Sequence, residues 1–397
     1  MRLLRLLRLF GPATIVSVAY VDPGNFGSNI ASGSLHGLDL LWVVWMASIV
    51  AMLLQYLSGK LGIVAGRSVV DLTLARLNSH RYARLAYSIP LLAIVIATDM
   101  AEFLGIALGL HLLLGLPLHI AAGIAVIDVM ILLIASEKRR RLELMVGLMV
   151  AIIGLSYVVQ LYMIAPEPML VLEKSVSITL TGDQVILTAS ILGATVMPHA
   201  LILHGYLTAE RWNGMKDKLK RHTRETIVYL AVAAMINASL QIAAYGAFYT
   251  KGIEVTDMTE AYNTLIPLYG SIAAYAFGIA LLASGISSSL VSVVTGQKVM
   301  ESIRGKSITQ WKTRLIVRMI NMVPLLIALF IGIKAIDILV YSQVVLSLML
   351  PFVAVPLVVL VSRMGMVMHY TRVAGIVAVV LIIIINLMLI ASGQIMH

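Results

Sequence analysis

Ala19-Tyr20-Val21-Asp22-Pro23-Gly24-Asn25 interrupts one apolar segment of membrane length, and Ala194-Thr195-Val196-Met197-Pro198-His199 interrupts a second, 175 residues later. Both copies read Ala-x-Val-ligand-Pro, with a carboxylate in the ligand slot of the first and a thioether in that of the second. A proline inside a helix removes one backbone donor and frees carbonyls about one turn upstream. Within a bilayer such carbonyls are tolerated only where they line a cavity or meet a ligand. Interrupted segments at matching positions of two halves are the mark of a transporter's binding site. An all-α membrane bundle built around two broken helices is the expected fold.

The surrounding composition agrees. Of 397 residues, 60% are hydrophobic and 12% charged, which places the chain among integral membrane proteins. No cysteine is present, so disulfides and thiolate metal sites are excluded. Met1-Arg-Leu-Leu-Arg-Leu-Leu-Arg leads into the first apolar segment without a small-residue cleavage site, so no cleaved signal peptide is expected. Windows of roughly 20 apolar residues predict about eleven spans: 10–34, 40–65, 84–112, 115–135, 142–164, 184–210, 225–249, 267–297, 315–333, 335–361 and 372–393. With the N-terminus inside and the C-terminus outside, 26 of the 29 Lys and Arg residues fall on the cytoplasmic side, the exceptions being Lys174, Lys251 and Lys334. That asymmetry fits a multi-pass protein of the cell (inner) membrane. It accounts for the net charge of +10 through topology and anionic lipid, and gives no reason to expect nucleic acid.

No linker or low-complexity tract divides the chain, so 1–397 is expected to form one transmembrane transport domain. If the two broken helices open equivalent repeats, the first covers about 10–164 and the second about 184–361, with 372–393 extra. Five spans is an odd number, so the second repeat starts on the opposite side of the membrane and the repeat is inverted. Five plus five, with the first helix of each half unwound at mid-membrane, is a LeuT-like arrangement.

Asp22 and Asn25 lie three apart across the first break, so a locally unwound turn can aim both oxygens at one point, with Gly24 allowing unusual backbone angles. In a soluble loop the same four residues would read as helix capping around a kink; at the centre of an apolar span a carboxylate is functional by default. Met197 holds the equivalent slot in the second copy. A carboxylate, an amide oxygen and a thioether do not suit Mg²⁺ or Ca²⁺, which want oxygen only. They suit a softer divalent ion such as Mn²⁺ or Fe²⁺, and would accept Cd²⁺. The carbonyls of Ala19 and Ala194, each on the turn before a proline, can add ligands. Gln343 offers a further amide oxygen, although an interhelical hydrogen bond explains it equally well. Asp99 and Glu102 share a face of the third span, and two acids that close, away from water, are candidates for passing a proton. His199 and His204 continue the sixth span beyond its break, and His199 can relay protons. Arg318, near the inner end of the ninth span, is expected to pair with one of the acids; a purely structural ion pair is the alternative to their proton role. Asp128, in the fourth span, has no role assigned.

Several classes are excluded by missing motifs. There is no phosphate-binding loop of an ATP-driven pump, no H-E-x-x-H, and no G-x-S-x-G. An organic-solute symporter on the same fold would want small residues and half-helix N-termini at the breaks. A membrane metalloenzyme or metal sensor would need a His/carboxylate set with an open position and a general base. Neither pattern is present, so the chain is not expected to be an enzyme or to hold a resident cofactor.

Asp22-Pro23-Gly24-Asn25 with Met197-Pro198-His199, supported by Thr98-Asp99-Met100-Ala101-Glu102 and Ser284-Gly285-Ile286-Ser287-Ser288-Ser289, resembles the Nramp family of proton-coupled divalent metal transporters, in particular the prokaryotic manganese/iron type. The resemblance covers essentially the whole chain. It implies symport of Mn²⁺ or Fe²⁺ with protons into the cytoplasm by alternating access, with Cd²⁺ and Co²⁺ also carried, by a protein that works as a monomer. Carried over, Asp22, Asn25, Met197 and the Ala194 carbonyl would bind metal, joined in some states by the Ala19 carbonyl and Gln343. Asp22, Asp99, Glu102, His199, Arg211 and Arg318 would belong to the proton pathway. A related Mg²⁺ or Al³⁺ group alters the methionine, so Met197 argues against that branch.

Overall fold

The computed structural model describes residues 11–125, 139–306 and 310–394. The first apolar segment is divided. Pro12–Ser17 (α1) starts with proline at its first position, where the missing N–H costs nothing. A tight 3₁₀ turn, Val18–Val21, follows, and Pro23–Leu35 (α2) resumes the helix. Leu41–Ala65 (α3) ends on left-handed Gly66, and Val69–Arg76 (α4) is opened by a capping box between Ser68 and Asp71. Arg81–Leu114 (α5) and Leu118–Ala125 (α6) come next, then Arg139–Ile164 (α7) and Pro168–Val176 (α8). The second broken segment is Val185–Thr195 (α9) with Pro198–Trp212 (α10). Leu219–Ala247 (α11), Met258–Arg304 (α12), Gln310–Phe330 (α13), Ala335–Met349 (α14), Pro351–Arg363 (α15) and His369–Ser392 (α16) complete the order.

Seven helices among the described residues are long and apolar enough to cross a membrane, or eight if α7 and α8, bent by 118°, make one span. The differences from eleven expected spans have local causes. The first span is cut into pieces too short to count, and the fourth, 115–135, is described only to Ala125; Asp128 lies outside the described residues. The expected span 267–297 is the inner part of the longer α12, which kinks at Gly270 (φ 82°, ψ 167°), a conformation open to glycine alone. The expected span 335–361 is two helices in series, with Pro351 starting the second.

The broken segments sit inside the bundle. The helices α2, α9 and α14 pack on one another, α10 lies along α3, and α11 covers α2 and α3. On the other side α12 packs along α5 and meets α13. One hydrophobic core cluster runs through all of these helices and includes Ala19, Tyr20, Val196 and Met197.

Candidate metal centre

Each proline deprives one particular carbonyl. In an α-helix the N–H of residue i bonds to the carbonyl of i−4, so Pro23 leaves the carbonyl of Ala19 without its donor and Pro198 does the same to Ala194. Asp22 and Met197 then occupy equivalent places: each is the N-cap residue, in an extended conformation, with proline at the first helical position (Asp22 φ −88°, ψ 170°; Met197 φ −68°, ψ 114°). The break therefore lies upstream of Asp22, in the 3₁₀ turn, and Asp22-Pro23-Gly24-Asn25 is itself the first turn of α2. That corrects the expectation of an unwound Asp-Pro-Gly-Asn turn. Gly24 is helical with negative φ, so backbone freedom is not its purpose. A Cβ there would collide with the amide of Gln343, and glycine lets that side chain close on the break.

Asn25 joins the two breaks. Its backbone N–H donates to Asp22 Oδ1 at 2.8 Å, and its side-chain Nδ2 donates to Asp22 Oδ1 at 2.9 Å and to the Ala194 carbonyl at 2.8 Å. The hydroxyl of Thr195 faces Asn25 Oδ1 at 3.5 Å. Asp22, Asn25, Ala194, Met197 and Gln343 are all fully buried. Two oxygens there are buried without a hydrogen-bond partner, Asp22 Oδ2 and Gln343 Oε1. A buried acceptor normally finds a donor. A carboxylate oxygen and an amide oxygen with no donor of their own are acceptors that a cation could satisfy. Ser28, Ser190 and the Val340 carbonyl brace the packing above it, at 2.6 and 3.1 Å.

The acid pair lies one contact away. The Pro23 ring packs where Gly105 of α5 has no side chain, three residues beyond Glu102. Arg318 of α13 reaches both acids, with Nη1 at 2.8 Å from Asp99 Oδ1 and 3.3 Å from Glu102 Oε2. Asn321 donates to Asp99 Oδ2 at 2.6 Å, Ser292 donates to Glu102, and Arg318 also donates to Ser289. The guanidinium stacks 3.9 Å from the Phe103 ring centroid, so its uncovered face is shielded from water. Glu102 Oε1 remains without a partner. The ion pair expected with one acid is thus shared between two.

His199, next to Pro198 at the second break, bonds to α5, the helix of the acids. Its Nδ1 is 3.2 Å from Thr98 Oγ1, whose own hydrogen goes to the Ile94 carbonyl at 2.8 Å, so His199 Nδ1 is the donor. Nε2 is then the ring's acceptor, buried and unpartnered. Thr98 adjoins Asp99 in the sequence, so the imidazole bonds to the helix that carries the acid pair. Arg211 is not brought into this group: it lies in the last turn of α10, ~18 Å along the helix from His199, with its guanidinium over Trp212. His204 is buried against the His222 ring at 5.1 Å, and His222 bonds the Tyr56 carbonyl at 3.0 Å. Among the described residues no three His, Asp or Glu side chains gather as a metal cluster.

Sequence reasoning missed Asn237, Gln55, Tyr20 and His222. Gln55 accepts from Tyr20 Oη at 2.8 Å and donates to the Ala200 carbonyl at 3.3 Å, tying the two broken helices together. For Gln55 and Asn237 the available signal was an uncharged polar residue in an apolar span.

The profile of the Nramp family, described as natural resistance-associated macrophage protein-like, matches residues 13–392. The chain belongs to the Nramp family. Among Nramp relatives, it is 42% identical to the divalent metal cation transporter MntH of Granulibacter bethesdensis over 364 residues, 89% of this chain and 80% of that one. It is 38% identical to the MntH of Aeromonas hydrophila over 396 residues, 97% and 96% of the two chains. Among solved structures, the Eremococcus coleocola manganese transporter, in complex with an aromatic bis-isothiourea compound, superimposes with a TM-score of 0.86 at 28% identity, covering 98% of this chain and 88% of that one. MHP1, a nucleobase-cation-symport-1 family transporter, matches with a TM-score of 0.59 at 12% identity over 97% and 93% of the chains. That second likeness concerns fold alone, and it agrees with the LeuT-like architecture of a multi-pass Nramp membrane protein.

Proposed function

We propose that this chain is a secondary transporter that imports Mn²⁺ or Fe²⁺ by alternating access, together with protons, and that accepts Cd²⁺ and Co²⁺. Relatives named as divalent metal cation transporters and a structural neighbour named as a manganese transporter support the substrate class. They also support a transport role and not an enzymatic one. The observation that carries the reading is the pair of open buried oxygens, Asp22 Oδ2 and Gln343 Oε1, beside carbonyls that two prolines have stripped of donors.

The Asn25 amide nitrogen now does what a cation would do, holding Asp22 Oδ1 and the Ala194 carbonyl together. An arriving ion replaces that donor, and rotation of the amide offers Oδ1 in its place. Asp22 contributes charge, the thioether of Met197 contributes softness, and Gln343 and the Ala19 carbonyl complete the shell in part of the cycle. The ion crosses between a recess of about 320 Å³, lined by His36, Asp183 and Asp337 on the side expected to face out, and one of about 410 Å³, lined by Arg67, Asp71 and Tyr206 on the side expected to face in. Protons released at Asp22 pass by His199 and Thr98 to Asp99 and Glu102, where Arg318 holds the charge balance. The chain acts as a monomer, since one copy supplies every group of the proposed site.

Uptake into proteoliposomes of Mn²⁺, Cd²⁺, Mg²⁺ and Ca²⁺, with internal pH recorded, tests this reading. Mn²⁺ and Cd²⁺ flux with acidification is expected. No Mn²⁺ flux, or Mg²⁺ flux of equal size, overturns it.

A further inference from the structure

Unwinding a helix frees more carbonyls than one ion should meet. At the first break the freed turn carries the carbonyls of Ala19, Tyr20 and Val21. Side chains from two other helices take two of the three. Asn237 of α11 donates Nδ2 to the Tyr20 carbonyl at 2.8 Å, and Ser284 of α12 donates Oγ to the Val21 carbonyl at 2.7 Å. Both donors are buried, at 1% and 0% exposure, so water does not compete for these carbonyls. The next carbonyl, that of Asp22, is already engaged by the N–H of Phe26 at 3.3 Å. Among the described residues no side chain donates to the carbonyl of Ala19. That is the carbonyl from which Pro23 removes the helical donor.

We propose that Asn237 and Ser284 are positioning residues that set metal selectivity, by engaging the two surplus carbonyls so that the first break presents a single backbone oxygen to the ion. The inference rests on the transport reading above and deepens it. A backbone oxygen is a hard ligand, and Ca²⁺ takes six to eight oxygen ligands at flexible geometry. Mn²⁺ and Fe²⁺ form smaller shells that tolerate nitrogen and sulfur donors. Each carbonyl released into the centre therefore favours Ca²⁺ over Mn²⁺ and dilutes the contribution of Met197. Neither Asn237 nor Ser284 touches the proposed ion; each acts through the carbonyl it holds.

The test is calorimetric titration of the purified full-length chain with Mn²⁺, alone and in competition with Ca²⁺. Wild type, Ser284→Ala, Ser284→Thr and Asn237→Ala are compared, with thermal melting measured alongside. Ser284→Ala and Asn237→Ala are expected to lower the ratio of Mn²⁺ to Ca²⁺ affinity about tenfold. Ser284→Thr, which keeps the hydroxyl, should hold that ratio near the wild-type value. A purely structural role would lower the melting temperature and leave the ratio unmoved. If wild type binds Mn²⁺ and Ser284→Ala keeps its selectivity, the positioning role is overturned and the transport reading stands. If wild type binds no Mn²⁺, the transport reading falls and this inference falls with it. Should Asn237→Ala fail to fold, the Ser284 pair decides alone.

Discussion

Asp22 and the Asp99–Glu102 pair are both buried carboxylate sites, yet only the second carries its own cation. Around Asp99 and Glu102, Arg318 reaches both acids, and Asn321 and Ser292 donate as well. Around Asp22, the donors are the backbone and amide of Asn25, and one carboxylate oxygen is left open. Among the described residues no Lys or Arg is paired with it. Burying an uncompensated charge is expensive, so it persists where an exchangeable partner restores the balance. Under the proposed function, that difference gives the two sites different traffic. On that reading the centre lacking a cation loads and releases one, while the centre whose two carboxyl groups share one fixed guanidinium exchanges protons.

Five substitutions sharpen or break that contrast. The largest effect is expected for Asp22→Asn, which removes the charge but keeps the shape: Mn²⁺ affinity should fall by at least ~100-fold, or about 3 kcal/mol, as read by calorimetry. Retained affinity would mean that the open oxygen is not a ligand. Met197→Ala should keep some Mn²⁺ transport but lose discrimination against Ca²⁺ and Mg²⁺ by about tenfold, measured by competition in uptake. Surviving discrimination would return the thioether to packing. Glu102→Gln keeps the hydrogen-bonding outline of the second centre while removing one charge. It should weaken acidification of proteoliposomes and leave Mn²⁺ affinity within about twofold. Unaltered acidification in both Glu102→Gln and Asp99→Asn would take the pair off the proton path. The smallest effect is expected for Ser28→Ala, which cuts the hydroxyl bridge from α2 to α9. It should cost about 1 kcal/mol of stability, seen as a lower melting temperature, with selectivity unchanged.

Much of this was legible in the sequence because proline chemistry is local. The spacing of Asp22-Pro23 and Met197-Pro198 dictates which carbonyl loses its donor, whatever surrounds it. The i, i+3 spacing of Asp99 and Glu102 likewise puts both acids on one helix face before any packing is known. What the sequence left hidden depends on neighbours from distant parts of the chain. Gly24 looked like a residue chosen for its backbone, and only the position of Gln343 shows that it makes room for a side chain. A serine or asparagine in an apolar span announces a need for a partner without naming it. Ser284 was visible as part of a motif, but its hold on the Val21 carbonyl was not, and Asn237 gave no local sign of reaching Tyr20. Arg211 matched a family position on the strength of sequence alone; in the fold it stacks on Trp212, at the far end of α10 from His199.

The most direct test of the account is where the ion sits. Crystals soaked in Mn²⁺ and measured for anomalous scattering should show one peak between the two breaks, in contact with Asp22, Asn25, Met197 and the Ala194 carbonyl. That peak should disappear in Asp22→Asn. A peak at Asp99 and Glu102 instead, or a peak at the breaks that survives Asp22→Asn, would contradict the assignment of the cation to the site that lacks one.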